Sequence, residues 1–302
     1  MIFKYIDIKK ILDKYQHAIE GNVNDIEFNY INSLDINYDK NLDWCSNLNV
    51  AEAQNYVDKS LSKVIILDLR LLNFVKNYDK VLIFVSNPKA VISDIAKEIF
   101  LKKDFIPQFD VIDSISKNAL IGDNVTIGKH CIIGDAKIFD NTILYGNNYI
   151  ANNVEIGKNV IIHFGSVIGG AGFGFIKDKF GNPERFTHIG KVIIHDFVEI
   201  GANCVIDRGA LGDTIIGPWT KIDSMVHIGH NVKVGKRCII CSNTTIAGSV
   251  TIGDDVWIGP NSVIREHLKI ASNSFIGMGS VVVNSILKPK KVFGNPAKEL
   301  RF

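Results

Sequence analysis

Aliphatic residues recur at every sixth position along a long stretch in the second half of the chain. From residue 216 to residue 282 the run is unbroken, and most of its members precede a small residue. A six-residue period fits neither a helix nor an alternating strand. It is typical of a parallel β-helix, in which three repeats make a coil and each aliphatic residue stacks on its counterpart in the next coil. The clearest members are Ile222, Ile228, Val234, Ile240, Ile246, Ile252 and Ile258.

The same frame continues toward the N-terminus with three interruptions. It begins at Ile115, loses one residue at Ile138, disappears between residues 169 and 190, and takes a four-residue insertion around residues 209–212. Together the repeats predict a mainly β protein whose parallel β-helix has about eight coils. Position five of the repeats is small or compact and is also expected to face the narrow interior, at Val125, Cys131, Val154, Val160, Ser166, Cys204, Val232, Cys238, Val256 and Ser262.

Residues 1–108 lack the six-residue period and predict a small α/β domain. Residues 7–15 have the pattern of a short amphipathic helix, residues 63–68 and 80–85 that of buried strands, and residues 90–101 that of a second helix. The predicted domains are therefore an α/β domain at 1–108, to which the family resemblance described below assigns nucleotide (uridine) binding, the β-helix at 109–287 and a short tail at 288–302. The glycine-rich segment 169–190 is expected to leave the β-helix as an external loop, either for binding or as a mere insertion.

Composition and charge exclude little but leave some classes without support. The 34 Lys and Arg residues nearly balance the 32 Asp and Glu residues, which gives no argument for a nucleic-acid partner. The N-terminus lacks the features of a secretory signal, and no apolar run approaches the ~20 residues that span a bilayer. A cytoplasmic protein is expected. Among the five cysteines, Cys238 and Cys241 form a CxxC by count, but Cys238 falls at an interior repeat position.

The coil length turns His230 into a candidate catalytic base. If eighteen residues make one coil, Gly248 is the stacked neighbour of His230 at about 4.8 Å along the ladder. A base next to a glycine amide suits acyl transfer, because the base accepts a proton from the nucleophile while the amide stabilises the oxyanion. The alternative is an exposed histidine at a corner of the coil.

The other histidines receive lesser roles. His227 is expected to line a groove, and His267, two coils and one residue beyond His230, to face the same cleft. His163 and His195 follow the repeat aliphatics and are interpreted as structural. Since no His, Cys or carboxylate cluster has the spacing of metal ligands, no metal and no bound cofactor are predicted.

Several segments together resemble one enzyme family, the UDP-3-O-acylglucosamine N-acyltransferases of lipid A synthesis. The DRGALGDT segment is the most discriminating, and the resemblance extends over nearly the whole chain. The matching segments are VSNPKAVISDIAKEIF at 85–100, GGAGFGF at 169–175, IGANCVIDRGALGDTIIG at 200–217, IGHNVKVG at 228–235 and IAGSVTIG at 246–253.

The resemblance implies a left-handed parallel β-helix and a homotrimer with active sites between neighbouring subunits, in which a sugar amine attacks an acyl thioester. It implies His230 as general base, Gly248 as oxyanion donor and Asp223 as the acidic partner of the histidine. Substrate contacts would come from His227, Asn231 and His267 in the β-helix. Trp44 and Asn47 would stack on and hydrogen-bond to the uracil in the N-terminal domain.

Three departures from the family pattern leave the donor and the sugar open. Ala171 replaces an acidic residue, Val50 replaces an aromatic residue, and the sequence reaches Phe302 without the helices that help recognise an acyl carrier protein. Its last residues resemble acetyltransferases of nucleotide-linked amino sugars. The expected donor is an acyl carrier protein thioester. The alternatives are a CoA-dependent enzyme for a surface-polysaccharide amino sugar and a scaffold without catalytic activity.

Overall fold

The computed structural model describes residues 2–31, 40–46, 48–100, 114–178 and 180–299. The chain divides into two compact units. One unit contains Met1–Ile106 and Gly174–Ile189, and the other contains Pro107–Phe173 and Gly190–Phe302. The glycine-rich segment is thus shared between the units, and most of it is grouped with the N-terminal residues.

The N-terminal unit is a mixed sheet flanked by helices. In spatial order its strands are His17–Glu20, Val81–Val85, Val64–Asp68, Asn41–Trp44 and Tyr30–Ile31, with only the first pair antiparallel. Every residue of the two predicted strands, Val64–Asp68 and Val81–Val85, is buried, as expected for parallel strands covered on both faces. A further antiparallel pair joins Phe3–Lys4 to Glu27–Phe28.

Three α-helices accompany this sheet: α1 (Tyr5–Leu12), α2 (Val50–Lys59) and α3 (Pro88–Ile95). Helix α3 continues as a π-helix over Ala96–Phe100, and 3₁₀ turns cover Val23–Asp25 and Leu69–Leu71. The side chain of Asn49 accepts a hydrogen bond from the backbone of Glu52 and caps α2, and Asn87 caps α3 in the same way. The predicted helices are both present, each beginning two residues earlier than its pattern indicated.

The segment that interrupts the repeat forms a hairpin of strands Phe175–Lys177 and Pro183–Arg185. Beyond the hairpin the chain packs on α3, because the backbone N–H of Thr187 donates to the hydroxyl of Ser93 at 3.2 Å. Phe186 is buried and lies under the ammonium of Lys89, 5.4 Å from the ring centre. The segment is therefore anchored by specific contacts within the N-terminal unit.

The second unit is a parallel β-helix with three faces, here named A, B and C. Face A contains Ile132–Ile133, Tyr149–Ile150, Val167–Ala171, Val205–Arg208, His227–Ile228, Thr245–Ile246, Val263–Ile264 and Val281–Val282. Face B contains Leu120–Ile121, Lys137–Ile138, Val154–Ile156, Val192–Ile194, Thr214–Ile216, Lys233–Val234, Thr251–Ile252 and Lys269–Ile270. Face C contains Thr126–Ile127, Ile143–Leu144, Ile161–Ile162, Glu199–Ile200, Lys221–Ile222, Ile239–Ile240, Trp257–Ile258, Phe275–Ile276, Lys291–Phe293 and Lys298–Glu299.

Stacking of like on like builds the core of the β-helix. Face A pairs His227 with Thr245 and Ile228 with Ile246, which confirms the predicted eighteen-residue coil. The repeat aliphatics from Ile222 to Ile258 are at most 3% exposed. The compact residues at position five are buried too, apart from Val125, which is half-buried.

The corners between faces require one residue per turn in the left-handed backbone region. Asparagine occupies most of these positions, because its short polar side chain tolerates positive φ better than other non-glycine residues. Ten asparagines of the β-helix have φ between 52° and 61°: Asn124, Asn141, Asn147, Asn153, Asn159, Asn203, Asn231, Asn243, Asn261 and Asn273. They give the tight turns that let two-residue strands follow one another.

The last described residues close the end of the β-helix. Lys291–Phe293 extends face C in parallel with Phe275–Ile276, and Lys298–Glu299 folds back antiparallel on it. Ile286 bridges to Ile270 at the end of face B. The backbone of Val281, at the end of face A, donates to Gly294 and accepts from Ala297.

We expect Ile246→Ala to lower the free energy of unfolding by about 2–5 kcal/mol, because it removes a fully buried side chain from a stack that does not collapse readily. Thr245→Ala, on the outward side of the same strand, is the matched control and should cost far less. Denaturant unfolding of both variants measures the difference. Equal losses would contradict the assignment of inward and outward positions.

Candidate active site

His230 lies at the corner between faces A and B, which we call the AB corner. It follows strand His227–Ile228 and is half-buried. Its backbone carbonyl accepts a hydrogen bond from Ser249 in the next coil at 2.8 Å. The position of the backbone is therefore fixed by the same ladder that builds the core.

Gly248 packs directly against the imidazole of His230. A β-carbon on Gly248 would lie 2.8 Å from both Nε2 and Cε1 of that ring, so only glycine leaves room for the histidine. Within the described parts of the chain, no backbone carbonyl accepts the N–H of Gly248. The amide next to the imidazole is thus available to a ligand, as an oxyanion donor must be.

Asn231 determines which nitrogen of His230 carries the proton. Its side-chain oxygen accepts from the backbone N–H of Ala210 at 2.9 Å, and its amide nitrogen donates to the carbonyl of Gly212 at 3.1 Å. These two partners fix the orientation of the amide. Because Nδ1 of His230 lies 3.0 Å from the same oxygen, Nδ1 must be the donor. In the neutral ring Nε2, the nitrogen beside Gly248, is then unprotonated.

The four-residue insertion supplies both partners of Asn231. It leaves the coil at the AB corner one coil before His230 and returns to the ladder at Thr214–Ile216. A β-carbon on Gly209 would lie 1.6 Å from the carbonyl oxygen of Gly212, so the turn requires glycine there. The insertion that looked like a break in the repeat therefore supports the candidate base. Sequence analysis assigned Asn231 to substrate contact and did not find this role.

His227 forms a second histidine contact on face A. Its Nε2 lies 3.1 Å from Oδ2 of Asp207, whose side chain is mostly buried. The hydrogen bond to Asp207 raises the pKa of His227 above its usual value of 6.5, and this effect outweighs burial, which lowers the pKa. His227 is half-buried, and its place in a substrate groove stays a prediction.

Asp223 lies at a different corner from His230. It follows strand Lys221–Ile222 and occupies the corner between faces C and A, the CA corner. It is exposed, and its Oδ1 accepts from the backbone N–H of Ser224 at 2.7 Å. One whole face separates it from His230 within a chain. A direct contact between the two residues would therefore need a second copy of the chain, and the role of Asp223 stays a prediction.

A groove of 450 Å³ runs along the CA corner beside Asp223. His163, interpreted as structural from sequence, lines this groove. Its ring stacks on Tyr145 with 4.9 Å between centres, and its Nε2 lies 3.3 Å from Glu199. Its repeat position gave no signal of this contact, because Glu199 lies 36 residues away along the chain.

His267 lies at the AB corner, one coil beyond Gly248. Its backbone N–H donates to the carbonyl of Gly248 at 3.0 Å, and its side chain is exposed. The AB corner therefore carries His230, Gly248 and His267 in successive coils, as the coil count predicted.

In the N-terminal unit, Trp44 ends a parallel strand and is half-buried. Its indole N–H is buried and has no hydrogen-bond partner among the described residues. Asn47, the other predicted uracil contact, lies outside the described residues. The uracil-binding roles of both residues stay predictions.

The chain shares its repeats with a known family of transferases. The family model described as bacterial transferase hexapeptide, six repeats, matches residues 135–170, 213–248 and 249–284. Over these residues the chain carries hexapeptide repeats of the bacterial transferase type. The fold is the mainly β, parallel β-helix that the period predicted, with the left hand that the resemblance implied.

Curated relatives carry the name that the sequence motifs indicated. UDP-3-O-acylglucosamine N-acyltransferase of Coxiella burnetii is 51% identical over 130 residues, which cover 43% of this chain and 38% of that protein. A probable UDP-3-O-acylglucosamine N-acyltransferase 2 of Arabidopsis thaliana is 42% identical over 137 residues, 45% of either chain. The chain thus aligns with less than half the length of these hexapeptide-repeat relatives.

Solved structures of hexapeptide-repeat enzymes share the β-helix. UDP-N-acetylglucosamine acyltransferase of Arabidopsis has 27% sequence identity and a TM-score of 0.51, covering 62% of this chain and 71% of that one. The Francisella novicida enzyme of the same name has 26% identity and a TM-score of 0.55, covering 59% and 64%.

The described residues form neither a metal-binding cluster nor a membrane-spanning helix. Nowhere in residues 2–31, 40–46, 48–100, 114–178 and 180–299 do three His, Cys, Asp or Glu side chains converge in a way that would hold a metal ion. The helices in these ranges lack the length and apolar character needed to cross a membrane.

We expect Gly248→Ala to displace the imidazole of His230, because the added methyl group occupies its position. Overpacking of this kind typically costs about 1–3 kcal/mol. Gly170→Ala is the matched control, since its β-carbon would meet nothing closer than 3.9 Å. Histidine side-chain NMR should show a shifted His230 signal in the first variant alone. An unshifted signal would contradict the packing of Gly248 on the ring.

Proposed function

We propose that this protein is an N-acyltransferase that moves an acyl group from a thioester to the amine of a UDP-linked amino sugar, as in lipid A synthesis. The observation that carries the proposal is the contact between the Nε2 edge of His230 and Gly248. In the neutral ring it places the acceptor nitrogen Nε2 beside a backbone N–H that no backbone carbonyl of the described residues accepts. The names of the curated relatives support the substrate class.

The geometry provides for each step of acyl transfer. The amine attacks the thioester carbonyl and forms the C–N bond, while Nε2 of His230 accepts the proton that the amine loses. The N–H of Gly248 stabilises the oxyanion of the tetrahedral intermediate. Collapse of the intermediate breaks the C–S bond, and the imidazolium returns its proton to the departing thiolate. Asn231 stabilises the imidazolium through Nδ1. The proposed reaction uses neither a metal nor a bound cofactor.

We propose a homotrimer with active sites between subunits. Asp223 and His230 lie at opposite edges of face A, so Asp223 reaches a histidine only in a neighbouring copy. Several outward residues of face A are aliphatic, and Ile132, Val205 and Val263 are 40%, 36% and 42% exposed in one chain. Exposed aliphatic residues along one face favour burial against another subunit.

The acceptor is proposed to bind at Trp44, His227 and His267, and the donor is proposed by its chemical class. Trp44 offers an aromatic surface for the base of the nucleotide sugar, and His227 and His267 lie near the proposed base for sugar contacts. The preferred donor is an acyl carrier protein thioester, with a CoA thioester and another surface-polysaccharide sugar as the alternative. We also propose that the enzyme acts in the cytoplasm.

We expect His230→Ala to lower turnover by about 10²–10⁴-fold, because it removes the general base. His195→Ala is the control, since His195 is another corner histidine but is exposed and lies between faces B and C. Turnover and oligomeric state should be measured on the same samples. Full activity of His230→Ala, or loss of the oligomer in that variant, would refute the assignment.

Incubation with a panel of amino sugars and donors distinguishes the two donor hypotheses. The panel combines UDP- and dTDP-linked amino sugars with long-chain acyl carrier protein and short-chain CoA thioesters, and mass spectrometry identifies the product. We expect acylation of a UDP-linked sugar from the carrier protein. Product from CoA thioesters alone would favour the polysaccharide-sugar alternative, and no product from any pair would favour a scaffold.

A further inference from the structure

Asp207 is hydrogen-bonded to His227, which lies three residues before the proposed base. Asp207 is 7% exposed, and its Oδ2 accepts from Nε2 of His227 at 3.1 Å. The other ring nitrogen of His227 has no hydrogen-bond partner within the described residues. About 45% of the histidine side chain is open to solvent. One edge of the ring is therefore held by a buried carboxylate, and Nδ1 remains available.

Among the described residues, Asp207 is the only carboxylate that raises the pKa of His227. In the adjacent coils, its neighbours on face A are Val205 and Thr245, neither of which is charged. Arg208 follows Asp207, but its guanidinium donates to the carbonyls of Gly169 and Asn152. Burial lowers the pKa of Arg208 only to about 10, so it stays cationic at neutral pH.

We propose that Asp207 is a positioning residue that keeps His227 in the imidazolium form, and that His227 binds the phosphate on the anomeric carbon of the acceptor. This inference rests on the proposed function. An imidazolium donates a charge-assisted hydrogen bond to phosphate, which is stronger than a bond between neutral groups. Neutral histidine lacks that charge, so the carboxylate controls the strength of the contact.

The spacing of the two histidines matches the chemistry of a 2-amino sugar. The Cα atoms of His227 and His230 lie at most ~10 Å apart, because the two residues are three positions apart along the chain. The relatives are named for acylation of a glucosamine nitrogen, which is bonded to the carbon next to the anomeric carbon. The amine that reaches His230 therefore brings the anomeric phosphate to the same side of the sugar. A cation at His227 is placed to receive it.

Histidine NMR tests the control of His227 by Asp207 without any substrate. In the wild-type protein the signal of His227 should titrate above pH 6.5, and in Asp207→Asn its midpoint should move to lower pH, because the negative charge is removed. Asp254→Asn, which removes an exposed carboxylate at another corner, is the control and should leave the midpoint unchanged. An unchanged midpoint in Asp207→Asn would overturn the positioning role.

Calorimetry with UDP-N-acetylglucosamine tests the phosphate contact. This ligand carries the diphosphate but no free amine, so binding involves no acyl transfer and does not depend on His230 acting as a base. Titrations in buffers of different ionisation enthalpy report proton uptake. Just above the midpoint of His227, binding to the wild-type protein should take up protons, because phosphate favours the imidazolium.

His227→Gln keeps a hydrogen-bond donor but removes the charge. We expect it to bind roughly tenfold more weakly or worse, with this proton uptake abolished. In Asp207→Asn the uptake should shift to lower pH, and Asp254→Asn should match the wild-type protein. Equal affinity and uptake in His227→Gln would overturn the phosphate contact. Failure of the wild-type protein to bind this ligand would overturn it too, together with the nucleotide-sugar acceptor.

Discussion

The parallel ladder between residues eighteen apart is the constraint on which the β-helix and its candidate site depend. Each coil contributes only two- to five-residue strands to a face, too short to be stable alone. They persist because every aliphatic side chain rests on another of the same kind in the next coil. The same ladder fixes Gly248 beside His230, so the packing of the core and the geometry of the candidate site have one cause.

Irregular positions supply what a perfect repeat lacks. A pure ladder would place His230 next to Gly248 but would leave its imidazole free to rotate and to exchange tautomers. The insertion at residues 209–212 provides an N–H and a carbonyl that form hydrogen bonds with the side chain of Asn231. The oxygen of Asn231 in turn accepts a hydrogen bond from Nδ1 of His230. Asp207, at the start of this departure, holds His227. The residues of the proposed active site are thus held by contacts at the point where the chain leaves the repeat and rejoins it.

Sequence periodicity predicted the coil length, the inward residues and the neighbour of His230, because in a solenoid contacts follow directly from counting. It did not predict the hydrogen bonds that hold Asn231 or the pairing of Asp207 with His227, because the four inserted residues do not follow the six-residue period. The separation of Asp223 from His230 at two corners follows from the same count but was hidden by their closeness in sequence. The packing of Phe186 and Thr187 on α3 depends on contacts with a distant segment that no period encodes.

The antiparallel turn at residues 291–299 bears on how such a molecule stays in solution. A stack of parallel strands presents an open row of amide and carbonyl groups at its last coil, which is a template for adding another chain. Here Lys298–Glu299 runs opposite to the stack, Ile286 bridges to face B, and Gly294 and Ala297 bond to face A. At this end, a strand from another molecule therefore meets an antiparallel strand with the charged side chains of Lys298 and Glu299, and not a continuation of the parallel repeat. This segment covers the last coil and so disfavours end-to-end association, which the open edge of a periodic β-helix would otherwise permit.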